Sequence, residues 1–117
     1  MENVRLSSGR LYQMLGSGVT GTGAGDGIYK DSPYSTYQAT VVGTGAVTAT
    51  VDIECTNQVD ASGTPTNWCA TAMGTITLSG TTSVSDGFTT AAPWKWSRAV
   101  VSNVTGTGAT VTCTMGV

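Results

Sequence analysis

The chain has 117 residues, a net charge of −2 and only five basic residues, set apart at Arg5, Arg10, Lys30, Lys95 and Arg98. That length is one domain's worth, and positive charge this sparse argues against binding nucleic acid through its phosphates. Thr, Gly and Val dominate while Leu, Glu, Lys and Arg are scarce, a balance that favours strands and turns over helices.

The first stretch, MENVRLSSGRLYQMLGSG, holds no continuous apolar run, so no signal peptide is expected and the chain is expected to fold in a cytoplasm. No segment approaches the roughly 20 apolar residues of a membrane helix. Residues 1–37 are expected to form an N-terminal arm or docking segment, distinct from a β-domain over 38–117. Within it, GSGVTGTGAGDG has little to pack and much entropy to lose, which predicts a flexible loop or arm. Apolar anchors flank it: Leu6, Leu11, Tyr12, Met14 and Leu15 before, Ile28, Tyr29, Tyr34 and Tyr37 after. Such an arm either docks on a partner or covers one end of its own domain's core.

From Gln38 the pattern has period two. In Val47 to Thr56 the odd positions are apolar and the even ones polar, which is a strand with one buried and one wet face. Ala109, Val111, Cys113 and Met115 repeat the pattern against Thr110, Thr112 and Thr114. Thr75 to Ser79 reads as a short strand aiming Ile76 and Leu78 inward, and Val84 to Phe88 as another. Trp94 to Val104 is strand-like with two apolar faces: Trp94, Trp96, Val100 and Val104 on one, Ala99 and Val101 on the other. Turn signals recur at Val42-Gly-Thr-Gly, Asp60 to Pro65, Ser79-Gly, Asp86-Gly, Ala92-Pro and Gly106-Thr-Gly. Short strands at this spacing predict an all-β sandwich or barrel.

The tetrapeptide GTGA occurs at 21–24, 43–46 and 106–109. The last two copies sit between strand-like segments and are read as tight hairpin turns, where glycine supplies a positive φ without strain. The first belongs to the arm. The spacing fits no regular repeat.

Candidate chemistry is thin. Gly16 to Gly21 matches GxGxxG, but neither the required preceding strand nor the following helix is there to hold a dinucleotide. The chain has no histidine, which removes the common Ser–His and Cys–His nucleophile pairs. Asp52 and Glu54 share one strand face; they read as a solvated face rather than as paired catalytic carboxylates or calcium ligands. Gly25-Asp26-Gly27 with Asp31 lacks the further acids of a calcium loop. Cys55, Cys69 and Cys113 are read as reduced core thiols, with Cys55–Cys69 the one plausible bridge. Trp68, Trp94 and Trp96 suit either core anchoring or sugar stacking. No catalytic residue, metal or cofactor is expected.

The stretches GTGAVTATVDIECTN, GTITLSGTTSVSDGF, APWKWSRAVV and GTGATVTCTMG, with a tryptophan in the loop after the first, carry a resemblance. Over residues 38–117 the chain resembles the capsid cement, or decoration, proteins of tailed phages. The resemblance implies a jelly-roll-like β-sandwich, to which the residue pattern adds the Gly-rich N-terminal arm. It implies a non-enzymatic virion protein, made in the host cytoplasm, that dimerises on the outer surface of the head and clamps neighbouring major capsid proteins. Neither nucleic acid nor membrane would be a partner. On this reading the capsid or dimer contacts are Leu6, Leu11, Tyr12, Met14, Leu15, Tyr29, Tyr34, Tyr37 and Trp96, with Arg5, Arg10 and Lys30 pairing acidic shell residues. The Gly-rich arm and Cys69 have no place in that pattern. The alternative is a carbohydrate- or receptor-binding β-sandwich module of a tail fibre.

Overall fold

A computed structural model describes residues 3–6 and 10–117, with only the backbone described at 3–6, 71 and 72. The described chain is all-β and holds no helix. Its strands are β1 (Asn3–Leu6), β2 (Leu11–Gln13), β3 (Gly23–Ala24), β4 (Gly27–Lys30), β5 (Tyr34–Thr56), β6 (Gln58–Val59), β7 (Pro65–Thr66), β8 (Cys69–Ala91) and β9 (Trp96–Gly116). β5, β8 and β9 hold most of the residues. β5 lies between β8 and β9, antiparallel to both, along nearly its whole length. β4 extends the sheet beyond β9, and β1 pairs with β4 in parallel. β6 and β7 form a separate small hairpin.

Each long strand must bend. β5 has 23 residues, which at about 3.3 Å per residue would stretch about 75 Å, yet the molecule's longest dimension is 44 Å. The crease runs through all three strands at one level. On β5 the register slips between Val42 and Ala46 against β8, and again from Val42 through Thr44 to Thr48 against β9. Across from it lie Thr81 and Thr82, the latter with φ at +62°, and Gly106 and Gly108, with φ at +123° and +64°.

The crease corrects the hairpin reading of GTGA. Copies 43–46 and 106–109 connect no neighbouring strands; they lie opposite one another inside two continuous strands, with Thr44 paired to Thr107. They are bulges, where extra residues and a positive φ bend a strand and leave its pairing partners unchanged. Val47 lies six positions after Val41, an even step, so the side-chain parity survives the bulge and both face inward.

The two halves of the creased sheet close on one core, giving a curled, sandwich-like antiparallel fold. Tyr37, Ala39, Val41, Ala109, Val111, Cys113 and Met115 come from one half, Val47, Ala49, Val51, Ile53, Ile76, Leu78, Ala99 and Val101 from the other. Even-numbered residues of β5 stand on the outer face, as the alternation predicted.

The glycine-rich stretch is held against its own domain. Starting from β2, which pairs with the end of β9, it runs back along that strand's outer edge. Val19 bridges Val111, β3 pairs with Val100 and Val101, and the Gly25 amide donates to the Ala99 carbonyl at 2.8 Å. Glycine permits this close approach: a Cβ at Gly25 would sit 2.1 Å from the Met14 carbonyl oxygen. Of the two fates open to the arm, covering its own core is the one this geometry displays for 10–30. β5 begins at Tyr34, so the 37/38 boundary falls inside a continuous strand.

Candidate functional site

The starts of β2 and β5 and the ends of β8 and β9 converge at one pole of the molecule. There Leu11 is 76% and Tyr34 65% exposed, the two most exposed large apolar side chains among the described residues. With Arg10, Thr89 and Val117 they line a shallow apolar groove. The groove floor is fixed by backbone: the Val117 amide donates to the Arg10 carbonyl at 3.1 Å, and Leu11 pairs with Gly116. Leu11 faces outward because β2 is an edge strand whose alternate residue, Tyr12, turns toward the core. Ser32 Oγ accepts from the Tyr34 amide at 3.1 Å and sets the turn from which Tyr34 projects.

The other expected contact residues lie elsewhere. Met14, Leu15 and Tyr37 are buried in the chain's own core, which corrects their reading as surface anchors. Apolar residues on a segment that folds back against its own sheet satisfy themselves there. Tyr37 also carries a polar relay: Ser35 Oγ donates to its hydroxyl at 3.1 Å, and that hydroxyl donates to Ser97 Oγ at 3.2 Å. Burial, ahead of these bonds, pushes the Tyr37 phenol above its ordinary pKa.

Lys30 is corrected too. It was expected to meet acidic residues of a partner, but it is fully buried, and its ammonium donates to the carbonyls of Ser32 at 2.9 Å and Ala92 at 2.7 Å. Burial, with the nearby Lys95 charge, lowers its pKa. It ties the β4–β5 turn to the end of β8. Leu6 and Arg5 fall on β1, and their side chains lie outside the described residues.

Tyr29 and Trp96 are cross-strand partners on the outer face of β4 and β9, stacked edge to face at 5.3 Å. Beside them Arg98 bonds Glu54 at 2.7 Å and lies over the Trp68 ring at 4.5 Å. A Cβ at Gly27 would lie 3.4 Å from the far part of the same indole. One face of Trp68 is therefore covered by a guanidinium already held by Glu54, and Trp94 packs against the core. These tryptophans do not form an open stacking platform.

The acids are similarly committed. Asp52 accepts from Thr75 Oγ1 at 2.8 Å, Glu54 from Arg98 Nε at 2.8 Å, and Asp26 from the Tyr12 hydroxyl at 3.3 Å. Asp60 Oδ1 accepts from Ser62 Oγ and from the Ser62 and Thr64 amides, which hold its carboxyl below the usual range. It shapes the β6–β7 loop. Among the described residues no three His, Cys, Asp or Glu side chains gather to hold a metal.

A second feature escaped the sequence reading. β8 has β5 on one side and, among the described residues, no strand on the other. Natural edges usually carry Lys, Pro or an inward charge against pairing. Residues 74–80, GTITLSG, hold none of these. Further along, Asp86 Oδ1 accepts from the Gly87 amide at 2.8 Å, which occupies part of the edge there.

No family model, curated protein or solved structure matches the chain.

Proposed function

We propose that the chain is a structural virion protein that docks on the outer surface of a phage head and cements neighbouring major capsid proteins. The observation that carries the reading is the Leu11–Tyr34 groove. Two large apolar side chains, exposed side by side with Arg10 at one pole, suit insertion into a partner surface. A cement protein needs no reactive group; it needs a rigid scaffold, many copies and contacts that span capsomers. Each contact can be weak, because copies linked to one another gain avidity. A jelly-roll type of wrapping belongs to this reading, as does residence on the virion after synthesis in the host cytoplasm.

The open β8 edge supplies the self-contact. Two copies related by a twofold axis through Thr77 would pair antiparallel, Ile76 meeting Leu78 on the core side and Thr75 meeting Ser79 on the wet side. Every pair in that register is uncharged and matched in polarity, as an isologous interface requires. Thr77→Lys sets two like charges on the axis.

Heads stripped of the protein provide the test. Wild-type protein is expected to decorate them and to raise their resistance to heat; the Leu11→Ala/Tyr34→Ala double variant is expected to fold and to decorate at least tenfold more weakly. Immunogold label confined to the tail tip of intact virions, or absent from them, would overturn the reading. The self-contact is read separately, from the mass of wild-type and Thr77→Lys protein in solution.

A further inference from the structure

The three cysteines do not share one environment. Cys55 and Cys113 are buried, whereas Cys69 is exposed, which corrects the reading of all three as core thiols. Cys55 and Cys69 are direct partners in the antiparallel ladder between the end of β5 and the start of β8. Partners so placed have Cα atoms about 4.5–5.5 Å apart, inside the roughly 4.4–6.8 Å that a disulfide spans without moving backbone. The Cys69 thiol is also among the groups that raise the Cys55 pKa, as a near neighbour would. A register slip between Ile53 and Cys55 marks this end of the ladder as its least regular part, with room to adjust. Cys113 is remote from both: it pairs with Ala39 in the other half of the sheet and its thiol faces Met14 Sδ at 3.8 Å.

We propose that Cys55 and Cys69 form a redox modification site, closed to an intramolecular disulfide by a low-molecular-weight disulfide such as oxidised glutathione. The exposed Cys69 reacts first. Its thiolate attacks one glutathione sulfur, the glutathione S–S bond breaks, and one glutathione thiolate leaves. The Cys55 thiolate then attacks the Cys69 sulfur; the protein S–S bond forms and the second glutathione thiolate leaves. The two thiol protons end on the two glutathiones. Two electrons pass from the protein to the reagent, so one oxidised glutathione becomes two reduced ones. Burial pushes the Cys55 thiol up to about 11, which makes the second step the slow one and speeds it tenfold per pH unit below that value.

The bond would staple the base of the 57–68 excursion. That excursion carries the β6–β7 hairpin and Trp68, whose ring lies under the Arg98 guanidinium. Thr56 Oγ1 donates to the Thr66 carbonyl at 2.7 Å, and Asn57 Oδ1 accepts from the Lys95 amide at 2.9 Å. Closing a loop of about 15 residues raises the folding equilibrium constant roughly 100-fold. A protein that leaves a reducing cytoplasm for an oxidising exterior would thereby tighten on release. The inference stands apart from the docking reading: it concerns the chain alone.

The full chain, purified reduced, is treated with oxidised glutathione at pH 8 and 9 and followed by intact mass and thiol counting after unfolding. The expected product has lost two hydrogens, counts one thiol instead of three, and yields a linked Cys55–Cys69 peptide with Cys113 free. It is expected to form about tenfold faster at pH 9 and to unfold at higher urea than the reduced chain. Cys55→Ala is expected to stop at the glutathione adduct on Cys69, and Cys69→Ser to remain unmodified while folded. A wild-type product that stays at the Cys69 adduct, links two chains, or uses Cys113 would overturn the proposal.

Discussion

The three GTGA copies offer a graded test of the crease, because the same Gly→Ala change meets three different surroundings. At Gly106 an added Cβ would lie 2.8 Å from the Ala46 carbonyl oxygen and 2.9 Å from Val47 Cγ1, and φ is +123°. Holding a non-glycine residue in such a conformation costs about 1–3 kcal/mol, and forcing a methyl into packed surroundings about 1–3 kcal/mol more. The narrower unfolded ensemble of alanine returns about 0.4–1 kcal/mol. The net expectation for Gly106→Ala is about 3 kcal/mol of destabilisation. At about 2.1 cal/mol/K of unfolding entropy per residue, that lowers Tm by roughly 12 °C for a chain of this length. Gly45 has φ at +73° with open space around it, so Gly45→Ala keeps only the backbone cost and is expected to lose about 1 kcal/mol. Gly21 has neither constraint, and Gly21→Ala is expected to be neutral or slightly stabilising. Thermal unfolding followed by far-UV circular dichroism, with size-exclusion chromatography to confirm the fold, ranks the three. A Gly106→Ala loss no larger than that of Gly45→Ala would refute the idea that close strand approach fixes the bend.

Tyr37→Phe removes the middle of the Ser35–Tyr37–Ser97 relay while keeping the ring stacked on Phe88, so urea unfolding should show about 1–2 kcal/mol lost through stranded hydroxyls; an unchanged midpoint would mean the serines re-pair. Alkaline pH should destabilise the reduced protein. Cys55 and Cys113 titrate near 9 when unfolded but are pushed up to about 11 and about 12 in the fold, so their contribution is whole below pH 9 and drains above it, by about 3 kcal/mol for the pair at pH 10. Lys30 works the other way, because a folded pKa lowered by burial makes stability rise with pH as the ammonium gives up its proton. Urea unfolding at pH 8, 9 and 10 under reductant is expected to fall on balance, and a flat profile would contradict the burial of the thiols. Thr77→Lys is expected to give a folded monomer where wild type self-associates, with no change in Tm beyond the loss of the partner.

The period-two pattern made the core legible in advance. Val47, Ala49, Val51, Ile53, Cys55, Ile76 and Leu78 were expected inward and are buried; Ala99 and Val101, on one of two apolar faces of their strand, are buried too. What the pattern cannot carry is where a strand ends. Gly-Thr-Gly between two alternating runs supplies a positive φ, and both a hairpin and a bulge need one. The discriminating sign was parity. With Val41 and Val47 both inward, 34–56 reads as one uninterrupted alternation, which favours a bend over a reversal. Lys30 and the Leu11–Tyr34 pole were hidden for a different reason. Burial of Lys30 depends on two carbonyls, one of them sixty-two residues away, and no local pattern encodes that. The exposure of Leu11 and Tyr34 follows from which strand ends meet at the pole, a property of topology.

The two flanks of the core explain the odd composition of the N-terminal segment. β9, the inner neighbour of β5, has its far edge covered by residues 11–30, and at three points of that cover a side chain would clash. Gly18 would bring a Cβ within 2.7 Å of Thr110, and Gly25 and Gly27 are similarly confined. Gly16, Gly21 and Gly23 would meet nothing, so packing demands glycine at three of the six glycine positions of the segment. Among the described residues β8, the opposite flank, receives no such cover, although its 74–80 stretch has the strand propensity and neutrality that make an edge adhesive. A chain that closes one edge with some twenty residues and, among the described residues, leaves an uncharged stretch at 74–80 of the other uncovered has an asymmetry that solubility alone does not explain. On the proposed reading, pairing at that edge would account for it and would leave the Leu11–Tyr34 pole of each copy free to meet a different surface.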